Sequence, residues 1–100
     1  MVYNTGVTIY DNIISVDVYN NPVVPATFEN EIIKDGIIYT STTININLID
    51  SNNGIYGYNF TPNEFGNYQI YIKNLDANII YVSEVFNVKT DDQTAVYVGL

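Results

Sequence analysis

The sequence predicts an all-β protein, folded as an antiparallel sandwich of about seven strands in two sheets. Isoleucine, valine and threonine supply about a third of the residues, and ten tyrosines and four phenylalanines add to them. These β-branched and aromatic side chains fit a pleated, half-buried surface. Good helix formers are scarce, since the chain has three alanines, three leucines and one methionine. Short apolar runs alternate with turn signals at the spacing of a sandwich or barrel.

The length and the charge of the chain narrow the class of protein. One hundred residues make a single domain with a two-layer core and no room for a large internal cleft. Three lysines against eleven acidic residues give a formal net charge of −8. Nucleic acids and anionic membranes select cationic surfaces, so we expect neither as a partner.

Targeting signals are absent from the sequence. The chain has no cysteine, hence no disulfide. The first twenty residues lack a basic stretch followed by an apolar run, and no run reaches transmembrane length. With Met1 at its start, we expect a complete gene product of a bacterium or a virus, made and folded in the cytosol without a signal peptide.

The first third of the chain gives the least regular pattern. Residues 1–6 are predicted to form an arm or a frayed strand, and residues 7–10 the first strand. Asp11 and Asn12 predict a turn into a strand over residues 13–19, which Asn20-Asn21-Pro22 ends. The alternating residues expected to face the core from that strand are Ile14, Val16 and Val18.

Three further segments precede the middle of the chain. Residues 23–25 predict an edge segment, because Pro25 cannot donate to a ladder. Residues 28–34 are ambiguous. Asp35-Gly36 predicts a hairpin into residues 37–40.

The clearest strands lie in the middle. Residues 42–49, 55–60 and 67–75 show period-two alternation, which indicates one buried and one wet face. Residues 50–54 and 76–78 predict turns. The positions expected to face the core are Thr42, Ile44, Ile46, Leu48, Tyr56, Tyr58, Phe60, Tyr68, Ile70 and Ile72.

The last part of the chain sets the expected boundaries. Residues 79–88 predict a strand whose alternation is interrupted near Ser83-Glu84, which indicates a bulge or a change of partner. The sandwich body is therefore expected over residues 7–88, followed by a polar linker over residues 89–94. Residues 95–100 are either the closing strand of this sandwich or an arm that binds a neighbouring protein. The candidate partner-binding residues in that run are Val96, Tyr97, Val98 and Leu100.

One run resembles a known family. Glu64, Gly66, Tyr68 and Ile70 follow each other at alternate positions. The run is similar to the start of strand F in immunoglobulin-like sandwiches, where a tyrosine lies two residues before a buried cysteine position. Here Ile70 takes that position, and the tryptophan of antibody domains is missing. The resemblance implies an immunoglobulin-like sandwich in which the Tyr68 hydroxyl bonds to the backbone near Glu64 or Phe65.

A wider pattern extends this resemblance over about half of the chain. Residues 54–58, Phe60-Thr61-Pro62 and residues 66–68 resemble the signature of bacterial and phage immunoglobulin-like modules, as does Asn21-Pro22-Val23. Such modules occur on capsid and tail proteins of tailed bacteriophages and on bacterial adhesins. A chain without cysteine or signal peptide is closer to the phage case.

The resemblance implies a function as well as a fold. We expect an accessory virion protein of a tailed phage that decorates or reinforces the capsid or the tail. Its partners would be other virion proteins, the major capsid protein or a tail protein. Because packaged DNA repels a protein of charge −8, we expect it on the outer surface of the virion. The alternative is a module that binds carbohydrate or the host-cell surface.

Catalysis is not expected. Without histidine or cysteine the usual nucleophile–base arrangements cannot be assembled. Glu29 and Glu31 lie two residues apart and could form a glycosidase-like pair in principle, but a sandwich of this size offers no cleft for them. An enzyme or its accessory domain would instead need a cleft with perturbed carboxylates.

Metal or cofactor binding is not expected either. Zinc lacks its preferred ligands. Residues 50–54 resemble the start of a calcium loop, but the glycine comes one place early and Thr61 stands at the twelfth position in place of glutamate. A plain turn is the preferred interpretation, and Asp91-Asp92 is interpreted as solvated linker.

The tyrosines bear on the carbohydrate alternative. Such a module would cluster exposed aromatic side chains on one sheet or at one end. Asn59-Phe60-Thr61 is a formal glycosylation sequon, which we attribute to chance because Pro62 follows and no secretory signal is present. The tyrosines expected to reach a surface are Tyr10, Tyr19, Tyr39, Tyr71, Tyr81 and Tyr97.

Overall fold

The computed structural model describes residues 2–89, and within this range every regular element is a β-strand. Nine strands are present. In chain order they are β1 (Val2–Asn4), β2 (Ile9–Ile14), β3 (Phe28–Lys34), β4 (Ile37–Tyr39), β5 (Asn45–Asp50), β6 (Ile55–Phe60), β7 (Gly66–Asn74), β8 (Ile79–Val82) and β9 (Phe86–Lys89).

The strands form two sheets, so the predicted all-β sandwich is confirmed. The larger sheet has the order β1-β9-β7-β3-β4, with β8 also paired to β7, and the smaller has the order β2-β6-β5. The larger sheet thus contains β3, β7 and β9 as neighbours, and β2 and β6 are neighbours in the smaller sheet.

The count of nine strands instead of about seven has two causes. The predicted strand over residues 79–88 is divided into β8 and β9, which pair with the two halves of β7. The interruption falls at Ser83, as predicted. Its N–H donates to the Ile70 carbonyl at 2.9 Å and its hydroxyl accepts the Ile70 N–H at 2.8 Å, so a side chain replaces one backbone group of the ladder.

The second cause is β1. Val2–Asn4 pair with Asn87–Lys89 in a parallel ladder, whereas a wholly antiparallel sandwich was predicted. The N-terminal arm is therefore an ordered strand in the part of the chain that the structure describes.

The core lies between the sheets and contains the residues predicted for the two central strands. Tyr58, Tyr68 and Ile70 are all at most 1% exposed. The predicted alternation of inward and outward residues is thus confirmed for residues 55–60 and 67–75. The buried hydrophobic residues are Ile9, Ile13, Ile32, Tyr56, Tyr58, Phe60, Tyr68, Ile70, Ile72, Phe86 and Val88.

The prediction for β2 was wrong. The strand runs through Asp11 and Asn12, where a turn was predicted, so its phase is shifted by one residue. Ile13 is buried, and Ile14 is 63% exposed. The inward carboxylate of Asp11 is tolerated because two tyrosine hydroxyls donate to it.

The strand predicted to continue to residue 19 ends earlier. Asp17 accepts the N–H groups of Tyr19 and Asn21, both at 2.9 Å, and so forms a turn. These bonds, that from Asn21 foremost, lower the pKa of the Asp17 carboxyl. Val18, predicted to face the core, is 89% exposed, and Val16 forms only an isolated bridge with Pro22.

Two other segments differ from prediction. Residues 23–25 lie in neither sheet, although the Val23 N–H donates to the Ser15 carbonyl. On β5, Ile46 is half-buried as predicted, whereas Leu48 is 46% exposed. A register shift between Leu48 and Asp50 disrupts the alternation there.

The hairpin between β3 and β4 is confirmed. Asp35 and Gly36 have φ angles of 51° and 83°. A two-residue turn of the type that joins antiparallel strands needs positive φ at both positions, which this pair tolerates. β3 itself, which the sequence left ambiguous, is a full partner of β7.

Candidate functional site

The residues that carried the family resemblance form a closed corner. The Tyr68 hydroxyl donates to the Glu64 carbonyl at 2.7 Å, and Tyr68 and Ile70 are fully buried. The bond predicted for this tyrosine is therefore confirmed. The Glu64 carboxylate also accepts the hydroxyl of Tyr39 at 2.9 Å, so this corner ties β4 to the segment before β7. The role of these residues is structural.

A buried polar group joins the two layers. Asn74, at the end of β7, donates to the Ser15 hydroxyl at 2.8 Å, and that hydroxyl donates to the Val23 carbonyl at 2.7 Å. The Asn74 side-chain oxygen accepts the N–H groups of Asp76 and Ala77. Every polar atom of this cluster has a partner, which is typical of a structural network.

A carboxylate between two phenols is the most unusual cluster. The hydroxyls of Tyr58 and Tyr81 both donate to Asp11 Oδ2 at 3.2 Å. Burial, followed by hydrogen bonding with Tyr81, raises the pKa of Tyr58 well above its usual range, and burial also raises the pKa of Tyr81. Phenols held protonated in this way act as hydrogen-bond donors. The cluster therefore links β2 and β6 to β8.

The candidate acidic pair lies on an open surface. Glu29 and Glu31 point outward from β3, opposite Lys73 and Tyr71 of β7. Both border a shallow depression of about 350 Å³, together with Ile80. The two carboxylates are thus exposed on the surface of the larger sheet.

The candidate calcium loop over residues 50–54 is a turn in which the Asp50 carboxylate is hydrogen-bonded by residues of the loop itself. Asp50 accepts the N–H groups of Asn52 and Asn53 at 3.0 and 3.3 Å and the side-chain amide of Asn53 at 2.7 Å. The side-chain bond from Asn53 is the main cause of a lowered pKa at Asp50. Among residues 2–89 no group of three or more acidic side chains is arranged to hold a metal ion. Asp91 and Asp92 lie outside the described residues.

The tyrosines do not gather at one place within residues 2–89. Tyr10 is exposed on the smaller sheet, Tyr71 on the larger sheet, and Tyr19 in the turn after β2. Tyr39 and Tyr81 are half-buried. The clustered aromatic surface that the carbohydrate alternative requires is thus not found in the described part of the chain, and Tyr97 lies outside it.

The larger sheet carries an apolar surface on its outer side, which we call the outer face. Strand register puts Tyr71 beside Val82 and Lys73 beside Ile80. Ile38 of β4 lies on the same side, opposite Ile33 of β3. The apolar members of the outer face are Ile33, Ile38, Tyr71, Ile80 and Val82, and the polar residues beside and between them are Glu29, Glu31, Gln69 and Lys73.

The exposure of the outer face is high for aliphatic residues. Ile38 is 59% exposed, Ile80 63% and Val82 44%. Apolar side chains that adjoin on one flat surface mark an interaction site more often than scattered ones do. The sequence contained a signal for it, because residues 37–38 and 79–82 are apolar on both phases of the strand. The predicted partner-binding residues Val96, Tyr97, Val98 and Leu100 lie outside the described residues.

Comparisons with protein-family models, with curated proteins and with solved structures found no match to this chain. In the part of the chain that the structure describes, there is no helix long and apolar enough to cross a membrane. The outer face is therefore the best basis for inferring what the protein does.

Proposed function

We propose that this protein is a non-enzymatic interaction module that attaches to a larger protein assembly through its outer face. The observation that carries the proposal is the exposure of Ile38, Tyr71, Ile80 and Val82 on one flat sheet surface. Removing this apolar surface from water stabilises a complex by about 25 cal/mol for each Å² buried. Aromatic residues such as Tyr71 are enriched in protein interfaces.

The charges on the outer face define the partner further. Glu29 and Glu31 lie on the β3 side, and Lys73 is opposite Glu29. The β8 side carries Ile80 and Val82 and no charge. A complementary partner presents an apolar patch with basic groups at one border, which would pair with Glu31.

The assembly we propose is the virion of a tailed phage, with the major capsid protein or a tail protein as partner. The support is the resemblance of the run from Glu64 to Ile70 to phage immunoglobulin-like modules, together with the Tyr68 bond that such a corner requires. The charge of −8 favours the outer surface of a particle filled with DNA. A non-enzymatic role is supported by the lack of histidine and cysteine and by the open position of Glu29 and Glu31.

The test compares two matched lysine substitutions. Ile38→Lys places a charge on the outer face, and Ile49→Lys places one on the smaller sheet at nearly the same exposure, 59% against 60%. Each variant is produced during infection, and particles are purified on a density gradient. We expect wild type and Ile49→Lys to sediment with the particles and Ile38→Lys to be lost.

Two outcomes would contradict the proposal. Equal retention of both variants would exclude the outer face as the contact. Absence of the wild-type protein from intact particles would exclude the virion role.

A further inference from the structure

The outer edge of β8 has no partner within residues 2–89. β8 pairs with β7 along Tyr71–Asn74, whereas the outer edge of the neighbouring β9 is covered by β1. β8 and β9 follow each other along the same side of β7. A strand added beside β8 would therefore lie in line with β1 and extend the larger sheet.

The ladder bonds of Ser83 show which backbone groups face this edge. The Ser83 N–H donates to the Ile70 carbonyl, which puts the backbone groups of residues 79, 81 and 83 on the side of β7. The N–H and C=O groups of Ile80 and Val82 consequently point outward. They have no backbone partner among the described residues.

The outer edge of β2 lies on the same side of the sandwich, but it is protected against pairing with another strand. The Ser15 N–H donates to the Gly54 carbonyl, and this register turns the backbone of Asn12 outward. The Asn12 N–H is bound at 2.8 Å by the Asp11 carboxylate. An inward-pointing charge on an edge strand hinders pairing with another strand. Of the two edges, β8 is the one able to accept a strand.

An apolar crevice of about 110 Å³ lies between these two edges. Its walls include Ile13 and Ile72 from the core and Ile79 and Ile80 from β8. Ile79 is 41% exposed although its position on β8 points toward the core. A strand beside β8 would cover this crevice with every second side chain.

We propose that residues 95–100 of a second copy of this chain add to β8 as that strand. The run lies outside the described residues, and its sequence carries the pattern that the β8 edge requires. It has apolar residues at Val96, Val98 and Leu100 on one phase, which would cover the crevice. Its six residues are enough to cover the four residues of β8, Ile79–Val82.

The opposite phase of the run also fits. Tyr97 would lie beside Ile80 and Val82 and enlarge the outer face. Backbone bonds to Ile80 and Val82 would supply affinity, and the alternate side chains would supply specificity, as in other cases of strand addition. The expected product is a head-to-tail chain of copies, because donor and acceptor surfaces differ.

The geometry favours a second copy over the same chain. Lys89 lies one position beyond the Gly66–Val88 pair, and β8 begins to pair at Tyr71. Six positions along a strand span about 20 Å. Six Cα–Cα steps join Lys89 to Ala95 and span about 20–22 Å when fully extended, which only equals the straight separation. The linker would also have to reverse direction and pass β1, which lies beside β9, so no length is left to reach the protomer's own β8.

The test uses full-length variants in sedimentation velocity over a wide range of concentrations. Val98→Asp disables the donor run. Val82→Pro removes an outward N–H that β7 does not use, and thus blocks the acceptor edge. Ile79→Lys provides a second acceptor variant that leaves the backbone unchanged. We expect the wild type to form larger species as concentration rises, and each variant alone to remain monomeric.

Mixing the variants gives the decisive measurement. Val98→Asp keeps an intact β8 edge, and Val82→Pro keeps an intact run, so an equimolar mixture should form a one-to-one dimer and nothing larger. A mixture that stays monomeric would overturn the proposal. So would a wild type that is monomeric throughout but loses thermal stability with Val98→Asp, since the run would then close its own sandwich.

Self-association through β8 does not depend on the proposed function. It is measured with the purified protein and no partner, and the donor variant Val98→Asp leaves every residue of the outer face unchanged. Its failure would leave binding to particles untouched, and loss of particle binding by Ile38→Lys would leave self-association untouched.

Discussion

The hydroxyl of Tyr68 donates to the main-chain carbonyl of Glu64, four residues upstream, over 2.7 Å. Because Tyr68 is fully buried in the core, this bond fixes the segment that leads into β7 to the interior of the sandwich. The Glu64 side chain extends the link to Tyr39 of β4.

Replacing Tyr68 by phenylalanine should therefore destabilise the protein. The Glu64 carbonyl would lose its partner, and we expect a loss of about 1–2 kcal/mol in the free energy of unfolding. Urea denaturation measures the change. Tyr19→Phe, at a residue that is 81% exposed, is the control and should have no measurable effect. Equal stability of the two variants would show that the corner bond contributes nothing.

Two glycines with positive φ should respond differently to alanine. Gly36 has a φ of 83° and open space where a Cβ would lie, so Gly36→Ala should lose about 1–2 kcal/mol from backbone strain alone. At Gly54, with a φ of 69°, a Cβ would collide with the Ser15 carbonyl oxygen. Gly54→Ala should lose about 2–5 kcal/mol, since overpacking adds to strain. Thermal and urea unfolding measure the loss of stability in each variant. An equal loss at Gly36 and Gly54 would show that the close approach to Ser15 is unimportant.

The link between the layers should be sensitive at Asn74. Asn74→Ala removes the bond to Ser15 and the acceptor for two backbone N–H groups, and we expect a loss of about 1–3 kcal/mol. Asn87→Ala, on the exposed side of β9, should change stability by less than about 0.5 kcal/mol. Chemical denaturation of the pair measures both. A neutral Asn74 variant would mean that water replaces the amide.

Stability should fall at alkaline pH because of Tyr58. Its pKa is raised in the folded state, chiefly by burial, above the ordinary value of about 10 that it has when unfolded. Below a pH of about 10 the Tyr58 hydroxyl is protonated in both the folded and the unfolded state, so its full contribution to the free energy of unfolding is present. Above that pH the unfolded chain loses the proton first, and the free energy of unfolding decreases as the pH rises. Denaturation between neutral and alkaline pH should give a shallower decrease in the free energy of unfolding for Tyr58→Phe than for the wild type. An equal slope in the two proteins would contradict this assignment.

Calcium should have no effect on the turn after β5. Both oxygens of Asp50 already accept hydrogen bonds from Asn52 and Asn53. Addition of EDTA, and then of excess calcium, should leave the melting temperature unchanged. A melting temperature that drops with EDTA and recovers with calcium would identify a cation site. Asp50→Asn, compared with wild type in the same titration, would locate it.

The sequence predicted the central strands well because their alternation is uninterrupted. Tyr56, Tyr58 and Phe60 follow each other at every second position, and hydrophobic burial alone then fixes which face points inward. The corner bond of Tyr68 was expected from the resemblance of the run over residues 64–70 to immunoglobulin-like sandwiches and not from alternation.

The phase of β2 could not be predicted from local pattern. Its inward positions include Asp11 and Ser15, whose partners Tyr81 and Asn74 are distant in the chain, with separations of 70 and 59 residues. When the hydrogen-bond partner of an inward polar residue is distant in the chain, the neighbouring sequence does not indicate that the residue points inward. The outer face escaped prediction for a similar reason, because exposure of Ile38 and Ile80 depends on what the other strands leave uncovered.

The parallel pairing of β1 with β9 has a mechanical consequence. Val2 lies opposite Asn87 and Asn4 opposite Lys89, and the two strands run in the same direction. Tension that pulls on the chain before Val2 and after Lys89 therefore acts along both strands in opposite senses. The backbone hydrogen bonds between β1 and β9 are then loaded together in shear. In an antiparallel hairpin pulled at its open end, the hydrogen bonds would instead break one after another. Under such a pull, β1 should therefore separate from β9 less easily than the strands of a hairpin separate from each other.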